Sequence, residues 1–167
     1  MQFAFTLLPA IVFPPSSRLW WLKTTIGLLS PFCLSAQCTD IELSTLQVIE
    51  KAAPVDKEAK ILELGFDLIS ESGTGATNTR KYHKCWHTTD NGKAIYEQVI
   101  YWRTNVNDIT FLTLNERSFD TLKKAVDERH STGGGKQTVV GKMFRYSFDK
   151  QSIGGYEYFA VTVAMKG

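Results

Sequence analysis

Ala94-Ile-Tyr-Glu-Gln-Val-Ile-Tyr-Trp-Arg103, Ile109-Thr-Phe-Leu-Thr-Leu114 and Phe119-Asp-Thr-Leu-Lys-Lys-Ala-Val126 decide how this chain is read. The first two runs are rich in β-branched and aromatic residues and are separated by the turn-forming Asn105-Val-Asn-Asp108. The third spaces Phe119, Leu122 and Val126 at three and four residues, an apolar helical stripe with Ala125 beside it. Asn115 or Ser118 can cap that helix. Strand, turn, strand and amphipathic helix together form the core of a small sheet-and-helix domain.

Working back from this stretch, Thr89-Asp-Asn-Gly92 carries Asn-Gly, a strong signal for a tight hairpin. It joins the Ala94 strand to a preceding one over Lys81–Thr88, with Tyr82 and Trp86 expected on one face. Ser70 to Arg80 is a polar loop, and Phe66 to Ile69 alternates as the first strand. Thr39-Asp40 caps a first helix bearing Leu46, Ile49 and Ala53, which Pro54 stops. Asp56 caps a second helix through Leu64 that turns Ala59 and Leu62 inward, and Gly65 ends it. Beyond the third helix, Gln137–Val140, Phe144–Phe148 and Tyr156–Met165 read as strands. Phe144, Tyr146 and Phe148 share one face; Phe159, Val161, Val163 and Met165 oppose Tyr156, Tyr158 and Thr162.

The fold class is therefore α+β: an antiparallel meander sheet with helices on one face, arranged as two loosely repeated α-β-β-β units. Tyr96-Glu97 and Tyr156-Glu157 open corresponding strands in that reading.

Residues 1–36 differ from the rest. They hold Arg18, Lys23 and no acid, so of the 19 basic residues 17 remain against 17 acidic ones in the body. A body of zero net charge lacks the clustered positive footprint that nucleic acid or anionic lipid requires. Basic residues, broken apolar runs and the small-residue exit Ser35-Ala36 predict a secretory leader cleaved after Ala36. Neither apolar run, split by Pro14-Pro15, reaches the roughly 20 residues of a membrane-spanning helix. A translation start near Arg18 and lipidation at Cys38 are alternatives, although Gln37 suits the latter poorly. A single domain over residues 37–167 remains, periplasmic or secreted.

Cys33 leaves with the leader, so Cys38 and Cys85 form an even pair in an oxidising compartment, and one disulfide is expected.

The exit Leu64-Gly65-Phe66, the aromatic strand Tyr96 to Trp102, Thr113 before Phe119-x-x-Leu122, and the closing tyrosine-rich strand carry a resemblance. With the Ser35-Ala36-Gln37 exit, they are similar to a group of small exported proteins of Gram-negative bacteria whose function is unknown. In outline, the helix-plus-meander duplication also resembles tandem-repeat β-lactamase inhibitor proteins and outer-membrane assembly lipoproteins. That likeness implies a binding module; it carries over no functional residue, because the shared positions are apolar residues and glycines.

Candidate chemistry is sparse. His83-Lys-Cys-Trp-His87 places His83, Cys85 and His87 on one strand face, and these are zinc or copper ligand types. Alternate strand residues lie about 7 Å apart, which suits two ligands better than three. A metal-binding or hydrolytic enzyme on that strand is the alternative to a binding module. Ser131-Thr-Gly-Gly-Gly-Lys136 lacks the preceding strand, following helix and Ser/Thr of a phosphate loop. Glu97 and Glu157 are the one carboxylate pair that the repeat would bring together. No cofactor is implied. The leading expectation is a non-enzymatic module that binds a protein or an envelope component through an open sheet face, using Tyr96, Trp102, Tyr156 and Tyr158. A purely structural envelope protein is the third reading.

Overall fold

The structure, a computed structural model, describes residues 38–73, 78–106, 108–130 and 137–167. The expected leader and the glycine-rich run at 131–136 lie outside the described residues. Helices α1 (Leu43–Lys51) and α2 (Pro54–Glu63) lead into strands β1 (Asp67–Ser72), β2 (Thr79–Thr88), β3 (Ala94–Arg103) and β4 (Asp108–Thr113). Helix α3 (Glu116–His130) then precedes β5 (Thr138–Val140), β6 (Phe144–Ile153) and β7 (Tyr156–Met165).

All pairings are antiparallel, and the seven strands run in the order β1-β2-β3-β4-β7-β6-β5. This is the expected α+β class. Two meanders run outward from a shared centre, where β4 pairs with β7. Tyr96-Glu97 and Tyr156-Glu157 sit on β3 and β7, with β4 between them, so the sheet does not place them as equivalents about that centre.

The main core lies between the helices and one face of the sheet. Leu46, Ile49, Ile61, Leu122 and Val126 of the helices meet Ile100, Trp102, Phe111, Tyr146, Phe148, Val161 and Val163 of the strands. Phe119 packs edge-on against Phe148, with ring centroids 5.9 Å apart. The cap of α3 is Asn115, whose Oδ1 accepts from Arg117 N–H at 3.1 Å and Ser118 N–H at 3.3 Å. At Gly141 a Cβ would meet the His130 ring at the end of α3, so a larger residue there would have to displace that ring.

The first two helices depart from expectation. Helix α1 starts at Leu43, behind Glu42, and not from a Thr39-Asp40 cap. The preceding residues are held extended: Cys38 is tied to Cys85, and the Thr39 carbonyl accepts from Gln98 Nε2 at 3.1 Å. Pro54 stops α1 and also opens α2, since proline is tolerated in the first turn, where its missing N–H costs nothing. The inward stripe of α2 is Lys57 and Ile61; Ala59 is exposed and Leu62 is 46% exposed. A buried lysine, paired with Glu50 of α1, displaces the expected stripe.

Tyr82 is fully buried under the helices, whereas Trp86 is 56% exposed. Cys85 stands between them with φ 53°, the one non-glycine residue of positive φ among the described residues. Such a residue breaks the two-residue alternation, so the two aromatics do not share a face.

Burial, with the charge of Glu58 adding to it and Arg80 opposing it, pushes the Tyr82 phenol from 10.0 up to about 12. The native state keeps this proton where the unfolded chain loses it. Stability from this group is complete below pH 10 and is lost as pH rises through about 12. The expected loss is about 3 kcal/mol across that window. Urea midpoints measured against pH should fall there, and Tyr82→Phe should flatten the fall; an unchanged slope in that variant would contradict the assignment.

Candidate functional site

The helix-free face of the sheet gathers the groups that chemistry could use. Val99, Leu112, Tyr158 and Ala160 form a small second core there, with Tyr96, Tyr101, Leu114, Ile153 and Tyr156 partly buried around it. Tyr158 Oη donates to the Tyr96 carbonyl at 2.8 Å. Burial raises the Tyr158 phenol above its ordinary value. Lys81 Nζ lies 5.8 Å from the Tyr96 ring and 5.5 Å from the Tyr101 ring. Lys93 Nζ stands 5.2 Å over Tyr156 and bonds the Gly154 carbonyl.

Three of the four residues expected to form a binding face are therefore together: Tyr96, Tyr156 and Tyr158. Tyr158 is only 3% exposed and serves as the floor, not the rim. Trp102 is the correction. It is 3% exposed on the opposite, helix-covered face, between Lys57 Nζ at 5.8 Å and the Arg80 guanidinium at 5.5 Å. Tyr96 was expected beside Trp102 on one face. No ladder pair joins Cys85 to Glu97, although Lys84 pairs with Gln98 and Trp86 with Tyr96. Past that irregularity Tyr96 lies on the open side, stacked on His83 at 4.6 Å. Tyr101, on the open side by simple alternation, is the residue that the candidate list missed.

The disulfide Cys38–Cys85 is present, with Cα atoms 5.7 Å apart and 47 residues of separation. This decides the fate of the histidine strand. The Cys85 sulfur is bonded to Cys38, so it offers no thiolate to a metal or a substrate. His83 stacks on Tyr96, and its Nε2 lies 3.9 Å from Asp67. Burial lowers its pKa below 6.5, with Asp67 opposing. His87 is exposed instead, with Nδ1 3.8 Å from Glu97. The single-face line of His83, Cys85 and His87 is broken by the left-handed Cys85. Among the described residues no three His, Cys, Asp or Glu side chains converge as metal ligands. Glu97 faces His87, while Glu157 pairs with Lys150 at 3.2 Å, so the two carboxylates are not brought together.

Sequence reasoning also missed a fully buried ion pair. Lys57 Nζ of α2 meets Glu50 Oε2 of α1 at 2.8 Å, and both side chains are 0% exposed. Glu50 Oε1 accepts from the Met165 N–H of β7 at 3.4 Å. Burial pushes the Glu50 carboxyl above the usual range, and Lys57 pulls it partly back. This pair binds two helices to the last strand; it opens onto no surface.

Among the described residues no helix is long and apolar enough to cross a membrane. Searches with protein-family models, against characterised proteins and against solved structures each return no match to this chain.

Proposed function

We propose that this chain is an exported, non-catalytic binding module of the cell envelope that engages its ligand through the helix-free sheet face. The observation that carries the reading is the asymmetry of the sheet. Helices α1, α2 and α3 cover one face, while the other keeps Tyr96, Tyr101 and Tyr156 half-buried around an apolar floor. Tyrosines flanked by Lys81 and Lys93 supply rigid, amphipathic contact area at low entropic cost. Export is supported by the disulfide, which persists in oxidising compartments. Cys85 offers no thiol nucleophile while that bond is intact, which weighs against hydrolysis there.

The test compares two arginine substitutions. Ser147→Arg places a long charged side chain on the open face, and Val55→Arg places one on the exposed side of α2. Immobilised protein should retain an envelope fraction that Ser147→Arg loses by about tenfold or more, with Val55→Arg unchanged. Equal retention by both variants would overturn the reading. Retention of nothing but further copies of this chain would favour a structural, self-assembling role.

A further inference from the structure

One register line crosses six strands on the helix-free face. Lys81 pairs with Tyr101, Tyr101 with Thr110, Thr110 with Thr162, Thr162 with Ser147, and Ser147 with Thr138. The residues flanking them, such as Ile100, Phe111, Val161 and Tyr146, all face the helices, so the line itself faces away. Every member after Lys81 ends in a hydroxyl. Adjacent strands lie about 4.8 Å apart, so the hydroxyls form a track at nearly even intervals.

A cavity of about 270 Å³ opens on this track, lined by Thr79, Tyr101, Arg103, Thr110, Gln151 and Thr162. Its one charged wall is Arg103, which is already committed. Nε donates to Asp108 Oδ1 at 2.8 Å, and Nη2 donates to Oδ2. The Thr110 and Thr162 hydroxyls bond each other at 2.9 Å, which leaves acceptor capacity on both. The Thr79 and Tyr101 hydroxyls and the Gln151 amide make no side-chain hydrogen bond among the described residues.

This cavity wall of hydroxyls and one amide, whose single charged lining residue Arg103 is balanced by Asp108, selects its ligand by chemistry. An apolar guest would strand the hydroxyls without partners. An anion would meet a guanidinium whose charge Asp108 already balances. A pyranose ring satisfies both halves: its hydroxyls donate and accept, and its C–H face packs on a tyrosine. Resting on the binding-module reading, we propose that the track is a subsite for a neutral glycan lying across the strands. One sugar sits over Tyr101, and the chain continues past Thr110, Thr162 and Ser147.

The experiment is an amide NMR titration of the disulfide-bonded protein. Neutral glucose and N-acetylglucosamine oligomers are compared with uronic-acid oligomers of equal length. Neutral oligomers should shift the amides of Tyr101, Thr110, Thr162 and Ser147. Thr162→Val should weaken that binding by roughly tenfold, Ser147→Ala should weaken it with less risk to folding, and Val55→Arg should leave it unchanged. Absence of shifts with neutral oligomers at millimolar concentration, or shifts with uronic acids alone, would overturn the assignment. The two readings fail separately. If Ser147→Arg still releases the envelope fraction while no oligomer shifts the track, the glycan falls and the binding face stands. If the retained fraction resists periodate and is destroyed by protease, the face binds protein instead.

Discussion

Lys57→Met alone should destabilise the protein by about 3–5 kcal/mol, because it leaves the Glu50 carboxylate buried without its counter-charge. Glu50→Gln alone should also destabilise, because it removes the counter-charge from the buried ammonium. The double variant Glu50→Leu with Lys57→Met should recover most of the loss and can exceed the parent, since neither ion then has to be desolvated. Urea midpoints on all four proteins form the cycle. The deficit of Lys57→Met should shrink in acid, because burial already raises the Glu50 pKa and protonation removes the unpaired charge. A single-variant deficit below about 1 kcal/mol would show that water reaches the pair and that the helices do not seal it.

Opening the disulfide is the second large effect. Its loop of 47 residues removes chain entropy worth about 4 kcal/mol from the unfolded state. Cys85 sits at φ 53°, a conformation that costs any L-residue about 1–2 kcal/mol whether or not the bond is intact. The loss on adding reductant, or in Cys38→Ser with Cys85→Ser, should therefore be about 4 kcal/mol. Using Cys85→Gly in place of Cys85→Ser should regain about 1 kcal/mol, since glycine adopts that backbone freely. A urea midpoint unmoved by reductant would refute the contribution. Cys38→Ser with Cys85→Gly no more stable than Cys38→Ser with Cys85→Ser would refute the backbone account.

These two effects also mark what could be read from the chain. The disulfide was legible because setting aside the expected leader leaves two cysteines, and two is a pair. The hairpins were legible because Gly92 of the Asn91-Gly92 turn and the Gly154-Gly155 pair adopt positive φ, as turn chemistry demands. Helix α3 announced itself by its cap and stripe. The buried ion pair was illegible: a lysine on the inward stripe of α2 looks like the solvent side, and its carboxylate partner seven residues earlier helps to make it tolerable. Trp102 and Tyr96 were misassigned together because both faces of β3 are apolar, so alternation chose no side. The left-handed cysteine opposite then moved one aromatic across. The hydroxyl track needed the pairing of β4 with β7, a contact between distant segments that no local pattern encodes.

That same central pairing imposes an order of assembly. Cys38, ahead of α1, and Cys85, on β2, both precede the second meander in sequence, so the crosslink can close before that meander is made. Until β7 emerges, however, β4 is an unprotected edge bearing Ile109-Thr-Phe-Leu-Thr113. A nascent chain halted short of Tyr156 presents a sticky template to its neighbours, and the closing strand acts as its own chaperone by occupying that edge last.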